Sequence, residues 1–185
     1  MINVIHDKKL VFLESIDGYD YYRYDPTFGK WFYKDYEKIS LRSWIRFFLE
    51  YITRKYCVYY MVKEDIILGY CVVSSGTWRL KCVTKNDIVC GPYYILPQYR
   101  GYRYSRVLID NIINRLHTNY NYVFDYIKKS NIPSIRITEA CGFEKCGELN
   151  ITRFRRLISA DDGQFLLYRK TNSLIKDKTN SKETS

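Results

Sequence analysis

Alanine is almost missing from this chain of 185 residues, which holds two, Ala140 and Ala160, against twenty tyrosines. That imbalance fits A- and T-rich codon usage, so part of the Tyr, Ile, Lys and Asn content carries no functional message. Histidine is equally scarce. His6 and His117 neighbour no cysteine, and no two of the six cysteines stand in Cys-x-x-Cys spacing, which argues against a metal site or a dithiol centre. Cys57, Cys71 and Cys90 lie inside apolar, strand-like runs, where a free thiol acts as a small buried hydrophobe. Nine glycines and four prolines exclude a collagen-like or linker-dominated chain. The longest charge-free runs, such as residues 66–78, fall well short of the roughly 20 apolar residues that span a bilayer. Residues 1–9 have no uninterrupted apolar core after a basic start, so no signal peptide is expected. The expectation is a cytoplasmic chain that uses no membrane and no metal.

What remains is globular in composition, with 46% apolar and 27% charged residues, enough to exclude wholesale disorder. The net charge of +10 favours an anionic partner: nucleic acid, a phosphorylated cofactor or substrate, or a membrane surface. No helix-turn-helix pairing, zinc spacing or RNA-binding aromatic signature accompanies it, so nucleic acid is not the expected partner.

Apolar periodicity orders the chain. Residues 10–13 are an apolar run, followed by an aromatic-rich polar stretch over 18–26. Ser40 can cap a helix in which Leu41, Trp44, Ile45, Phe48, Leu49 and Ile52 share one face, leaving Arg42, Arg46, Glu50 and Arg54 outside it. Residues 56–63 and 66–74 read as a strand pair about Glu64-Asp65. Residues 78–84 suggest another strand, and 88–96 a buried central strand stopped by Pro97. Leu108, Ile109, Ile112, Ile113 and Leu116 form a helical stripe opposite Asp110, Asn111, Asn114 and Arg115. A strand at 122–127 follows, then a helix capped by Asn131 and ended by Gly142. Strands at 146–157 and 164–170 flank Asp161-Asp162-Gly163. This order implies an α/β domain with helices on both faces of one sheet, over 1–170, and a disordered polar tail over 171–185.

In such a sheet a ligand binds beyond the end of a central strand, near a helix N-terminus. Residues 88–110 supply that arrangement: buried strand, Pro97, a loop around Arg100-Gly101, then an amphipathic helix. Unpaired amides and the helix dipole make the helix start an anion site, to which Arg100, Arg103 and Arg106 add fixed charge.

Pro97, Tyr99, Arg100 and Gly101 match the pyrophosphate-loop motif Pro-x-[Tyr/Phe]-Arg-Gly-x-Gly-x-[Gly/Ala] of the GNAT superfamily of acyl-CoA-dependent N-acetyltransferases. Arg103 stands where that motif has its second glycine, and Ser105 at its small residue. Downstream, Asn131, Ser134, Ile137, Glu139, Gly142 and Phe143 fit the family's Asn-x-x-[Ala/Ser]-x-x-[Leu/Val]-x-Glu-Lys-x-Gly-Phe. On both counts the chain resembles that superfamily over about 56–170.

The resemblance implies a single mixed, mostly antiparallel twisted sheet whose fourth and fifth strands splay apart. It implies acetyl-CoA as cosubstrate and direct transfer of its acetyl group to an amine in a ternary complex. Cofactor binding would then fall to Ile95, Leu96, Arg100, Gly101, Tyr102, Arg103, Tyr104, Ser105, Asn131 and Ser134. The Ile95 amide would be the donor to the thioester oxygen. Asp87 and Tyr93 are the nominees for a base, since the attacking amine must be neutral. Thr138 takes the place of a tyrosine that protonates the leaving thiolate in many relatives; its hydroxyl is a poor acid, so either Tyr126, Tyr104 or water replaces it or no strong acid is used. No histidine partners Cys90 or Cys141, so covalent catalysis is rejected. Aromatics at 19–24 and 31–36 would face the acceptor, favouring a small amine such as an amino sugar or nucleotide sugar. The alternatives are a protein N-terminus as acceptor, a GNAT-fold CoA-binding module that has lost catalysis, and, remotely, a basic nucleic-acid-binding domain. A monomer or homodimer is expected.

Overall fold

The computed structural model describes residues 9–33, 40–53, 56–75, 79–117, 119–152 and 156–172. The chain divides into two compact units, 1–74 with 92–108, and 75–91 with 109–185. Nine strands among the described residues form one open mixed sheet in the order β1-β2-β3-β4-β5-β6-β9-β7-β8.

In the first unit, β1 (Leu10–Ile16) and β2 (Tyr19–Tyr24) make a hairpin. The Asp17-Gly18 turn has φ of 53° and 80°, the left-handed pair that matches the twist of a two-residue hairpin. Sequence periodicity misses this hairpin, because alternating Tyr and Asp resemble a polar loop. β3 (Cys57–Lys63) and β4 (Ile66–Ser74) form the expected pair, and Glu64 and Asp65 both adopt positive φ at its turn.

Helix α1 (Leu41–Thr53) begins as expected, with the Ser43 amide donating to Ser40 Oγ at 3.2 Å. Its buried face does not follow the expectation. Phe47 and Glu50 are buried, while Leu41, Trp44, Ile45 and Ile52 are exposed. The core it meets is aromatic: Phe47 packs edge-on against Phe32 at 4.9 Å and near Tyr56 at 5.8 Å. Arg46 pairs with Glu50 at 2.9 Å, and that neutralisation lets a carboxylate enter the apolar layer. Tyr24, Trp31, Val58, Tyr60 and Ile67 complete this core.

β5 (Ile88–Ile95) is shared by the two units. Its parallel register with β6 (Tyr122–Lys128) covers Ile88↔Val123 and Val89↔Phe124. The chain then belongs to the first unit from Pro92, which has no amide hydrogen to continue a ladder. Helix α2 (Tyr104–Asn111) continues into a π-helical turn, Ile112–Leu116, closed by His117 N–H to Ile112 O at 2.8 Å. The widened turn buries Asn111 with Leu108, Ile109, Ile112 and Ile113, although Asn111 was expected on the polar side.

In the second unit the expected strand at 78–84 is a turn. Residue 78 lies outside the described residues, and Leu80 makes an isolated bridge to Leu157. The expected strand at 146–157 is two, β7 (Glu144–Ile151) and β8 (Leu157–Ser159), paired antiparallel. β9 (Phe165–Thr171) lies between β6 and β7, extending one residue into the stretch expected to be tail. Residues from 173 lie outside the described residues. Helix α3 (Ile132–Ala140) carries Asn131 as its N-cap, and Gly142 has φ of 77° just after it.

Candidate functional site

The loop after β5 is built by satisfying its own ends. Leu96 N–H donates to Leu68 O of β4 at 3.0 Å. A 3-10 turn, Pro97–Tyr99, follows, with Tyr99 N–H on Leu96 O at 2.9 Å and Arg100 N–H on Pro97 O at 3.2 Å. β4 comes close enough here that a side chain at Gly69 would strike Tyr94 O and Ile95. Gly101 and Arg103 then turn left-handed, at φ of 91° and 61°. A non-glycine residue costs about 1–2 kcal/mol in that region, so Arg103, at the motif's glycine position, is left-handed against its own preference. Both Arg106 N–H and Val107 N–H donate to Arg103 O, at 3.0 and 3.3 Å. The amides of 101–105 thus precede the first helical bonds, and a Cβ at Gly101 would meet no atom within 4 Å. A helix start of this kind can receive an anion.

Arg100 does two jobs in this loop. Its Nε donates to Ile95 O at 3.0 Å and its guanidinium lies 5.0 Å from the Tyr94 ring centre, pinning the loop to β5. Because Leu96 N–H is committed to β4, and successive strand amides point to opposite edges, Ile95 N–H faces the other edge. Tyr93 is half-buried on the same strand. Tyr102 is 68% exposed and stacks on Tyr104, with centroids 5.8 Å apart, and Tyr104 meets Tyr19 edge-on at 5.8 Å. Ser105 is half-buried in the first turn of α2. The first unit therefore brings Tyr93, Ile95, Leu96 and residues 100–105 together.

The remaining nominees belong to the second unit. Asp87 is buried, and its carboxylate accepts from Thr84 N–H at 2.8 Å, Thr84 Oγ1 at 2.6 Å and Tyr122 N–H at 3.1 Å. Those three bonds tie the turn before β5 to the start of β6. Asn131 Oδ1 accepts from Ser134 N–H at 3.4 Å, capping α3. Thr138 is buried, and its hydroxyl donates to Asp125 Oδ2 at 2.8 Å. The other oxygen of Asp125 would lie 3.4 Å from a Cβ at Gly91. Burial pushes Asp125 up to about 7, against the opposing pull of the Thr138 hydroxyl and the Tyr126 amide. Such a group exchanges a proton near neutral pH. Sequence reasoning passed over Asp125, whose signal was a lone acid inside the apolar run of β6. The Tyr126 hydroxyl is buried with no hydrogen-bond partner, under an Arg79 guanidinium 5.1 Å from its ring centre. Cys57, Cys71, Cys90 and Cys141 are buried, Cys82 and Cys146 exposed, and none is in a disulfide.

A family model described as an acetyltransferase (GNAT) domain matches residues 11–144. Among solved structures, a protein of Acinetobacter baylyi ADP1 assigned as an acetyltransferase aligns at 18% identity and TM-score 0.51, over 83% of this chain and 93% of its own. That likeness shows the fold. The spermidine N-acetyltransferase of Vibrio cholerae, solved with CoA and spermine, aligns at 16% identity and TM-score 0.49, over 77% of this chain and 80% of its own. The ribosomal-protein-S18-alanine N-acetyltransferase of Escherichia coli aligns at 14% identity and TM-score 0.46, over 64% and 70%. No curated protein matches the chain.

Proposed function

Because the chain belongs to the GNAT acetyltransferase family, we propose that it transfers an acetyl group from acetyl-CoA directly to the primary amine of a small molecule. The observation that carries this reading is Arg103 at φ of 61°. The loop turns left-handed at Arg103, where the resembled motif has a glycine, and backbone strain of that kind clusters at functional sites.

The cradle suits the group. The amides of Gly101, Tyr102, Arg103, Tyr104 and Ser105 would hold the diphosphate, and the exposed Arg103 guanidinium adds a positive charge that glycine lacks. Acetyl-CoA supplies the activated carbonyl as substrate. Ile95 N–H is the donor for its oxygen, since Leu96 N–H is taken by Leu68. A free alkylamine has a pKa of about 10, so the acceptor must lose a proton to water before it attacks, and the Tyr93 hydroxyl on β5 is the group nominated to relay it, accepting from the amine as it donates to water. Asp87, with three hydrogen bonds already, serves its turn. Thr138 gives its hydrogen to Asp125 when that carboxyl is ionised, so the departing thiolate draws its proton from water. Asn131 and Ser134 set the start of α3.

Thioester consumption, followed with the full chain, acetyl-CoA and a panel of amines, tests the reading. Turnover is expected with a small amine such as glucosamine and not with peptides bearing a free N-terminus. Turnover of peptides alone would reassign the acceptor. Tight acetyl-CoA binding with no turnover on any amine would make the chain a CoA-binding module.

A further inference from the structure

Helix α1 turns toward solvent a stripe whose composition suits burial. Leu41, Ile45, Phe48 and Ile52 follow one another at spacings of 4, 3 and 4, the seam pattern of two helices packed side by side. Leu41 is 74% exposed, Ile45 40% and Ile52 57%, while Phe48 is half-buried. Aromatic rings widen the stripe. Trp44 stacks on Phe48 with centroids 5.5 Å apart, and Phe28, 70% exposed, meets Phe48 edge-on at 6.2 Å. All of these residues belong to the first unit. Single exposed apolar side chains are ordinary on a protein surface, whereas a contiguous set of them marks an interaction site.

The stripe is its own complement. Leu41 and Ile52 lie equally far from its middle, and so do Ile45 and Phe48. A two-fold axis through that middle lays Leu41 on Ile52 of the partner subunit and Ile45 on Phe48 of the partner subunit. Each contact then occurs twice, as an isologous interface requires. The antiparallel arrangement also sets the N-terminus of each helix beside the C-terminus of the other, which favours the two dipoles. The size suits a modest dimer. With about 150–250 Å² for a whole side chain of this size, the exposed fractions leave roughly 500 Å² per copy. Two copies would bury roughly 1,000 Å², the lower limit of a specific interface. A membrane-lying helix carries a row of cations opposite its apolar stripe. In α1 the opposite side enters the core instead, with Phe47 and Glu50 buried and Arg46 bonded to Glu50 at 2.9 Å.

We propose that the solvent-facing stripe of α1 is the interface of a homodimer, in which two copies of the helix pack antiparallel about a two-fold axis. The inference is independent of the acetyl-transfer reading, because none of these side chains belongs to the loop at 97–105 or to β5.

The test is sedimentation velocity of the full chain from about 1 to about 200 μM, where an interface of this size should pass from monomer to dimer. Ile45→Glu sets a carboxylate in the dry centre of the pair twice over and should weaken dimerisation at least about 100-fold. Leu41→Glu and Ile52→Lys, at the two ends of the stripe, should each weaken it about tenfold. Each also matches the helix dipole at its own end, so both variants should fold, which thermal unfolding checks. The chain bearing both changes discriminates between arrangements. In the antiparallel pair each carboxylate faces an ammonium of the partner, and dimerisation should return to within about fivefold of the wild type. A parallel pair would set like charges opposite one another and recover nothing, which overturns the two-fold arrangement. Dimerisation unchanged in folded Ile45→Glu puts the interface elsewhere and overturns the inference. So does a wild type that stays monomeric throughout, whether or not it co-sediments with vesicles of phosphatidylcholine and phosphatidylserine. Should Ile45→Glu fail to fold, the two end variants and their combination carry the test.

Discussion

The loop at 97–105 and the helix at 131–143 carry the two halves of the family resemblance, and they treat their polar groups in opposite ways. In the loop, Gly101 and Arg103 are turned left-handed, Tyr102 is exposed, and a Cβ at Gly101 would meet open space. In the helix the motif's polar groups are bonded to the protein itself, the exposed Glu139 included, which accepts from the Tyr168 hydroxyl at 2.9 Å. Asn131 holds the amide of Ser134, Thr138 is bonded to Asp125, and Phe143 is buried. One stretch holds left-handed backbone ahead of a helix start; the other is spent on folding. A motif residue therefore declares a binding role only after its polar atoms have been accounted for.

The largest effect that could break this contrast lies in the closed stretch. Asp125 has its folded pKa raised to about 7, above the ordinary carboxyl value. The folded chain thus holds this proton more tightly than the unfolded chain does. The associated stability is fully present below the unfolded pKa and is lost as pH rises through about 7. Urea unfolding of wild type against Asp125→Asn, from pH 4 to 8, should show the difference moving in favour of the variant by a few kcal/mol and levelling above pH 7. A flat difference would mean that the carboxyl does not titrate in that window.

Next in size, Thr138→Val keeps the shape and removes the donor to a buried carboxylate, so a loss of about 1–3 kcal/mol is expected, with most of it restored in Thr138→Ser. Arg103→Gly should have the opposite sign. Relief of the left-handed strain should stabilise the fold by about 1 kcal/mol, while acetyl-CoA affinity falls because the guanidinium is gone. A variant that lost stability would show that Arg103 is held by packing rather than kept for a ligand. Tyr102→Ala, at an exposed ring, should change unfolding free energy by less than about 0.5 kcal/mol.

Much of the first unit could be read from residues alone, and the reasons are local. Glu64-Asp65 between two β-rich runs marks a hairpin, and Pro97 ends a buried strand. The β1–β2 hairpin escaped because its Asp17-Gly18 signal sits among tyrosines that alternate with charge. Helix α1 was recognised, yet its buried face was misjudged. Apolar periodicity cannot register that an Arg46–Glu50 pair neutralises itself, or that the core offers rings to Phe47 rather than to Ile45. For the same reason Glu50 passed as a solvated charge. The motif residues around Arg100-Gly101 were legible because backbone shape there is written in glycine and proline. The Asp125–Thr138 bond joins residues on separate elements, and only the fold brings them together.

The most direct test of an open loop serving a diphosphate is calorimetric comparison of acetyl-CoA with S-acetylpantetheine, which carries the same thioester without the nucleotide. With the amides of 101–105 receiving the diphosphate, acetyl-CoA should bind at least about 100-fold more tightly at moderate salt. Equal affinity for the two compounds, or none for either, would contradict it.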